Sequence, residues 1–104
     1  MAAYAEVLDA LGDGTRRAVF ELLRGGPQAV GEIAGALPVS RPAVSQHLRV
    51  LKEAGLVRDE QQGTRRIYEI NPSGLDELRT WVEGFWDDAL TRFKKHAERT
   101  RRKQ

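Results

Sequence analysis

The sequence contains no cysteine. Disulfides, thiolate metal sites and cysteine nucleophiles are therefore excluded together, and the composition fits a reducing compartment. Catalytic signatures are missing too: there is no Gly-rich phosphate loop, no HExxH and no GxSxG. Ser45 and His47 stand two apart in a helical stretch and so point to different sides. Adjacent Asp87 and Asp88 diverge likewise, and no enzyme is expected. No apolar run approaches the roughly 18 residues that a membrane span requires. The opening stretch MAAYAEVLDALGDG carries acids and lacks a long apolar core, so it does not read as a signal peptide, and the expected setting is the cytoplasm. A chain of 104 residues makes one small domain, which a partner subunit would help to stabilise.

The formal net charge is only +2, but it is unevenly spread. RFKKHAERTRRKQ, the last stretch, holds seven Lys or Arg against one Glu. The middle of the chain holds Arg41, Arg49, Lys52, Arg58, Arg65 and Arg66 against Glu53, Asp59 and Glu60. Local basic patches govern polyanion binding more than net charge does. A solvated surface is the plain alternative for the tail.

Apolar spacing and breakers divide the chain. Residues 4–11 make a short helix with Val7, Leu8 and Leu11 on its apolar face, ended by GDG. Asp13 is placed to cap a second helix over 14–24, with Ala18, Val19, Leu22 and Leu23 inward. GGP stops it, and a third helix covers 29–36 with Val30, Ile33, Ala34 and Leu37 facing the core. Ser40 caps a fourth helix that tolerates Pro42 in its first turn and ends at Gly55. LVRDE and RRIYEI, joined by QQGT, form a two-stranded hairpin. A last helix over 73–98 has Leu75, Leu78, Val82, Phe85, Ala89 and Phe93 at helical spacing. The fold class is mostly α with a small β-hairpin, in the order α-α-α-α-β-β-α. The expected domain covers 1–98, followed by a basic tail at 99–104.

On a helical wheel the fourth helix has two unlike faces. Val44, Leu48, Leu51, Ala43, Val50 and Ala54 share one arc; Arg41, Pro42, Ser45, Gln46, Arg49, Lys52 and Glu53 share the other. His47 falls among the apolar residues, as a satisfied core histidine rather than a ligand. A guanidinium, a hydroxyl and a carboxamide lie close together at the helix start. Those groups match what base edges and phosphates present in a DNA major groove. In a helix-turn-helix the second helix enters the groove by its N-terminal part. Ser40, Arg41, Pro42, Ser45, Gln46 and Arg49 are the candidate DNA-facing residues there. Gly63, Thr64, Arg65 and Arg66 at the hairpin tip form a candidate wing for phosphate or minor groove. An ordinary soluble helix and hairpin is the plain alternative.

Three stretches, LGDGTRRAVFELL, VGEIAGALPVSRPAVSQHLRVLKEAGLV and GTRRIYEINPSGL, resemble the ArsR/SmtB family of bacterial winged-helix repressors over about residues 5–90. The resemblance implies a winged helix-turn-helix, a homodimer built from the first and last helices, and double-stranded operator DNA as partner. It also implies DNA-facing roles for Arg41, Pro42, Ser45 and Gln46. Gly14 stands where the family often has proline, and Pro38 where a turn glycine is common. Many relatives are released by metal, but the ligand pattern is broken here: Asp88 is followed two residues on by Leu90, and His96 three residues on by Arg99. No metal and no cofactor is expected, and the residues identify no small-molecule effector. Candidate dimer residues are Leu8, Leu11, Val82, Phe85, Trp86, Ala89, Leu90 and Phe93. A metal-responsive derepressor, or a protein-interaction module of the same fold without DNA binding, stand as alternatives.

Overall fold

In the computed structural model, which describes residues 3–102, the chain runs α1 (Ala3–Leu11), α2 (Gly14–Leu22), β1 (Gln28–Ala29), α3 (Val30–Ala36), α4 (Arg41–Glu53), β2 (Val57–Gln62), β3 (Arg65–Ile70) and α5 (Pro72–Arg102). A single 3-10 turn, Leu23–Gly25, closes α2. The Asp13 carboxylate accepts the Arg16 N–H (2.9 Å), capping α2, and this backbone bond holds its pKa below the usual carboxylate range. Arg16 and Arg17 then reach back to the end of α1. Their Nη1 atoms donate to the carbonyls of Ala10 (3.2 Å) and Leu11 (2.8 Å). Cations at a helix C-terminus satisfy carbonyls that the helix itself leaves free.

Each helix contributes to one core. Val7 and Ala10 come from α1, Val19 and Phe20 from α2, Ile33 from α3, and Val44, Leu48 and Leu51 from α4. Leu56 and Val57, which lead into β2, are buried as well. Burying the three α4 side chains contributes on the order of 5–9 kcal/mol before conformational entropy is subtracted. That is enough to fix which face of α4 turns outward.

Four features depart from the sequence reading. The sheet has three strands, in antiparallel order β1-β3-β2, rather than two. Gln28 and Ala29, the latter expected to open a helix, pair with Tyr68 and Ile67. Two residues are too few to show a period, so this strand leaves no pattern in the sequence. Second, the hairpin is tighter than QQGT. Gln61 pairs with Arg66 and Gln62 with Arg65, so only Gly63 and Thr64 form the turn. Gly63 alone of the two has positive φ (64°), as in a type II′ turn. Third, α5 continues to Arg102 because its basic end is made of good helix formers. Residues 99–102, expected to form a separate tail, belong to that helix, and 103–104 lie outside the described residues. Fourth, His47 is half-buried on the inner side of α4, but its Nδ1 is buried with no hydrogen-bond partner, so it is not the satisfied core histidine expected.

The start of α5 is pinned to the end of α4 by main chain. Asn71 N–H donates to the Leu56 carbonyl (2.9 Å) and Gly74 N–H to the Gly55 carbonyl (3.1 Å). A Cβ on Gly74 would lie 2.6 Å from that Gly55 oxygen, so only glycine fits. Further along, Trp81 stacks on Tyr4 of α1 (centroids 5.5 Å apart) and meets Phe85 edge to face (4.9 Å). Beyond that contact every residue from Val82 to Arg101 is exposed. The described chain is 70 Å long with a radius of gyration of 19.2 Å. A compact domain of this size would have about 13 Å, so α5 projects well clear of the core.

Candidate nucleic-acid interface

Ser40 begins the site. Its hydroxyl accepts the Ala43 N–H (3.3 Å), and Pro42 occupies the first turn of α4. Because Val44, Leu48 and Leu51 are wholly buried, helical geometry turns Arg41, Pro42, Ser45, Gln46 and Arg49 outward, and all five are exposed, as is Ser40. The hairpin tip, with Gly63, Thr64, Arg65 and Arg66, is exposed as well. The structure brings Arg41 of the first group together with Thr64, Arg65 and Arg66 of the second. A cleft of about 430 Å³ between the start of α4 and the wing is lined by Arg41, Thr64, Arg65 and Arg66, with Ala29, Val30, Gly31 and Glu32 on its other side. Arg41 lies against Gly31, near enough that a Cβ there would be 3.6 Å from its guanidinium. Ser45, Gln46 and Arg49 do not line this cleft; they lie further along the outer face of α4.

Two carboxylates that sequence reasoning did not place at the site hold the wing arginines. Arg65 Nη2 donates to Glu32 Oε1 (2.5 Å), and the same oxygen accepts the Ala29 N–H (3.0 Å). Glu32 thus supplies half of a capping box to α3, Ala29 having no side-chain oxygen to return the bond. Asp59 receives Arg66 Nη1 (2.6 Å) and Lys52 Nζ (2.7 Å), and its side chain is only 7% exposed. The bond from Lys52, with Arg66 adding to it, keeps the Asp59 pKa below the usual carboxylate range. Both wing arginines nevertheless remain half exposed: 58% for Arg65 and 49% for Arg66. A signal for Glu32 was present in the sequence, since Glu at the third position of a helix is where a capping box puts it. Asp59 carried none, because its partners come from two different elements.

Of the residues expected at a dimer surface, Leu11 is half-buried against the core of its own chain. The others stand open: Leu8, Val82, Phe85 (60%), Trp86 (64%), Ala89, Leu90 (59%) and Phe93 (72%). No group of three or more His, Cys, Asp or Glu suited to a metal ion occurs among the described residues.

A buried-backed helix with a polar outer arc, a preceding helix and tight turn, and a hairpin wing with a two-residue turn beside it define a winged helix-turn-helix transcriptional regulator. Residues 11–60 match the model of a helix-turn-helix domain. The chain is 63% identical over 82 residues to the HTH-type transcriptional regulator Rv2034 of Mycobacterium tuberculosis, covering 79% of this chain and 77% of that one. It is 35% identical over 79 residues to the transcriptional repressor SdpR of Bacillus subtilis, covering 76% and 88%. Among solved structures it resembles the homodimeric winged helix-turn-helix DNA-binding domain of a possible ArsR-family regulator from Mycobacterium bovis, with TM-score 0.66 and 36% identity over 85% of this chain and 82% of that one. The chain belongs to the ArsR/SmtB family of transcriptional regulators.

Proposed function

We propose that this regulator acts as a homodimer that binds a two-fold related operator and represses by occupying it, so that polymerase is excluded and nothing is chemically altered. The observation that carries the reading is the outward arc of α4, Arg41, Ser45, Gln46 and Arg49, set beside an arginine-bearing wing. Major-groove readers present such donors and acceptors from the first turns of a helix, while the wing follows the backbone or minor groove. Binding rather than catalysis, in the cytoplasm where the chromosome of a bacterial cell lies, is the accompanying reading.

Support for the dimer comes from α5. An apolar strip of Phe85, Trp86, Leu90 and Phe93 left in water is larger than scattered surface residues need, and such strips mark partner surfaces. Charge along the same helix is segregated. Asp76, Glu77, Glu83, Asp87 and Asp88 precede the middle of the strip, with Arg79 the one cation among them; Arg92, Lys94, Lys95, Arg99 and Arg101 follow it, with Glu98 the one acid among them. A two-fold axis across α5 sets the acidic half of one protomer on the basic half of its partner, whereas a parallel pair would set like charges together. The homodimeric state of the M. bovis domain is consistent with this arrangement. Selection of bound duplexes from a random DNA pool tests the reading. A recovered site with two-fold related halves, followed by transcription blocked from a promoter carrying it, is the expected outcome. Failure to enrich any sequence would overturn it.

A further inference from the structure

The cleft between α4 and the wing is a basic recess between two candidate DNA-contacting elements, lined by three arginines and one acid. Arg41 enters from the first turn of α4, Arg65 and Arg66 from β3, and Thr64 from the turn. Its acid is Glu32, whose Oε1 holds Arg65 at 2.5 Å. Both members of that pair are more than half exposed, so water screens it and its strength is modest. Arg66 is tied further back by Asp59, which is nearly buried. The two wing arginines are therefore held with unequal firmness, and Arg65 is the one easily released.

The position of the cleft says what would enter it. If α4 reads the major groove and the wing touches the next minor groove, the backbone strand dividing those grooves must pass between them. That strand carries one phosphate per nucleotide, and a guanidinium can bind a phosphate through two parallel N–H donors. We propose that this cleft seats a DNA backbone phosphate between Arg41 and Arg65, and that Glu32 is the counter-charge the phosphate displaces from Arg65. The proposal rests on the reading that α4 and the wing bind DNA, and it changes one assignment within it: Arg41 becomes a phosphate ligand, and base reading falls to Gln46, Ser45 and Arg49. Glu32 acts as a positioning residue in the free protein, because it fixes Arg65 and the N–H of Ala29 with a single oxygen. In the complex its charge opposes the incoming phosphate.

Glu32→Gln separates these roles. The amide oxygen still accepts the Ala29 N–H, but the charge that binds Arg65 and repels phosphate is gone. Measured by fluorescence anisotropy on a random-sequence duplex at several salt concentrations, the variant should bind about two- to fivefold more tightly than wild type. Its plot of log affinity against log salt should be steeper by up to about one unit, since one more phosphate contact releases its counterion without an opposing acid. Arg65→Ala placed on the Glu32→Gln background should erase both gains, because the effect runs through that guanidinium. Arg41→Ala in wild type should make the slope shallower by about one unit. Weaker or unchanged binding by Glu32→Gln, with its thermal unfolding unaltered, would overturn the phosphate seat while leaving the DNA-binding reading intact. A gain that survives in the Glu32→Gln/Arg65→Ala double variant would overturn it as well. Wild type that binds no duplex at any salt would overturn both.

Discussion

At the scale of single residues, the site divides into groups that face outward freely and groups that are held. Gln46 is of the first kind: exposed and on the outer α4 arc. Its carboxamide can give and take a hydrogen bond at an adenine edge, so Gln46→Ala should cost about 1–3 kcal/mol on the operator. Affinity for random DNA should hardly change, and equal losses on both would make Gln46 a positioning residue instead. Asp59 is of the second kind. Its pKa is depressed in the folded protein by the bond from Lys52 and by Arg66. A depressed carboxylate contributes stability that is full above the unfolded value of about 3.9 and is lost as pH falls through the folded value. Wild type should therefore be more stable than Asp59→Asn at pH 7, and the gap should be narrower at pH 3, below the unfolded value, because stability is lost as pH falls toward the depressed folded pKa. Urea unfolding at the two pH values checks this; a gap independent of pH would remove Asp59 from the account. The outward residues were legible in the sequence because their direction follows from the apolar residues behind them. Glu32 was legible as a helix-capping residue, but its pairing with Arg65 of β3 was not, and Asp59 was not placed at the site because its partners, Lys52 and Arg66, come from α4 and β3.

At the scale of elements, legibility followed length. The four longer helices show their periods plainly, and both caps, Asp13 and Ser40, sit where the side-chain oxygen is needed. β1 escaped because it has two residues and borrows its identity from β3. The hairpin turn was read too long because Gln61 and Gln62 have no apolar face, yet backbone pairing alone carries them into the strand. The junction of α4 and α5 offers a test in which two effects oppose. In an exposed helix interior, replacing glycine by alanine gains up to about 1 kcal/mol. At Gly74 the added methyl would meet the Gly55 carbonyl at 2.6 Å, and backbone cannot step aside as a long side chain can. Overpacking of this kind costs about 1–3 kcal/mol, so Gly74→Ala should lower the melting temperature. Gly84, which has open space around it, should tolerate the same change or gain by it. Calorimetry of both variants decides the matter: a Gly74→Ala protein as stable as wild type would mean that the junction is slack.

At the scale of the whole molecule, the proportions argue for a second copy. A radius of gyration of 19.2 Å and an exposed run from Val82 to Arg101 describe a helix that extends past its own core. Phe85→Glu or Leu90→Glu should yield monomers that keep the helix-turn-helix and sheet folded but lose operator binding. Sedimentation at micromolar concentration, with circular dichroism on the same samples, separates loss of pairing from loss of fold. Variants that remain dimers with intact binding would show that the strip is not the contact. In the dimer a reading helix on each protomer must meet half-sites about 34–36 Å apart. The main-chain contact between Gly74 and Gly55 then acquires a mechanical meaning. It is the elbow of a lever, with the partner surface at one end and the reading helix at the other. A tilt of about 5° at that elbow, carried along the roughly 20 Å of the 13-residue α4, would shift the start of the reading helix by about 2 Å. Two-fold symmetry doubles the error to about one base-pair rise. On the proposed dimer, the spacing of the two reading helices, and with it the length of a two-fold site, would be gauged in part by two glycines at this elbow.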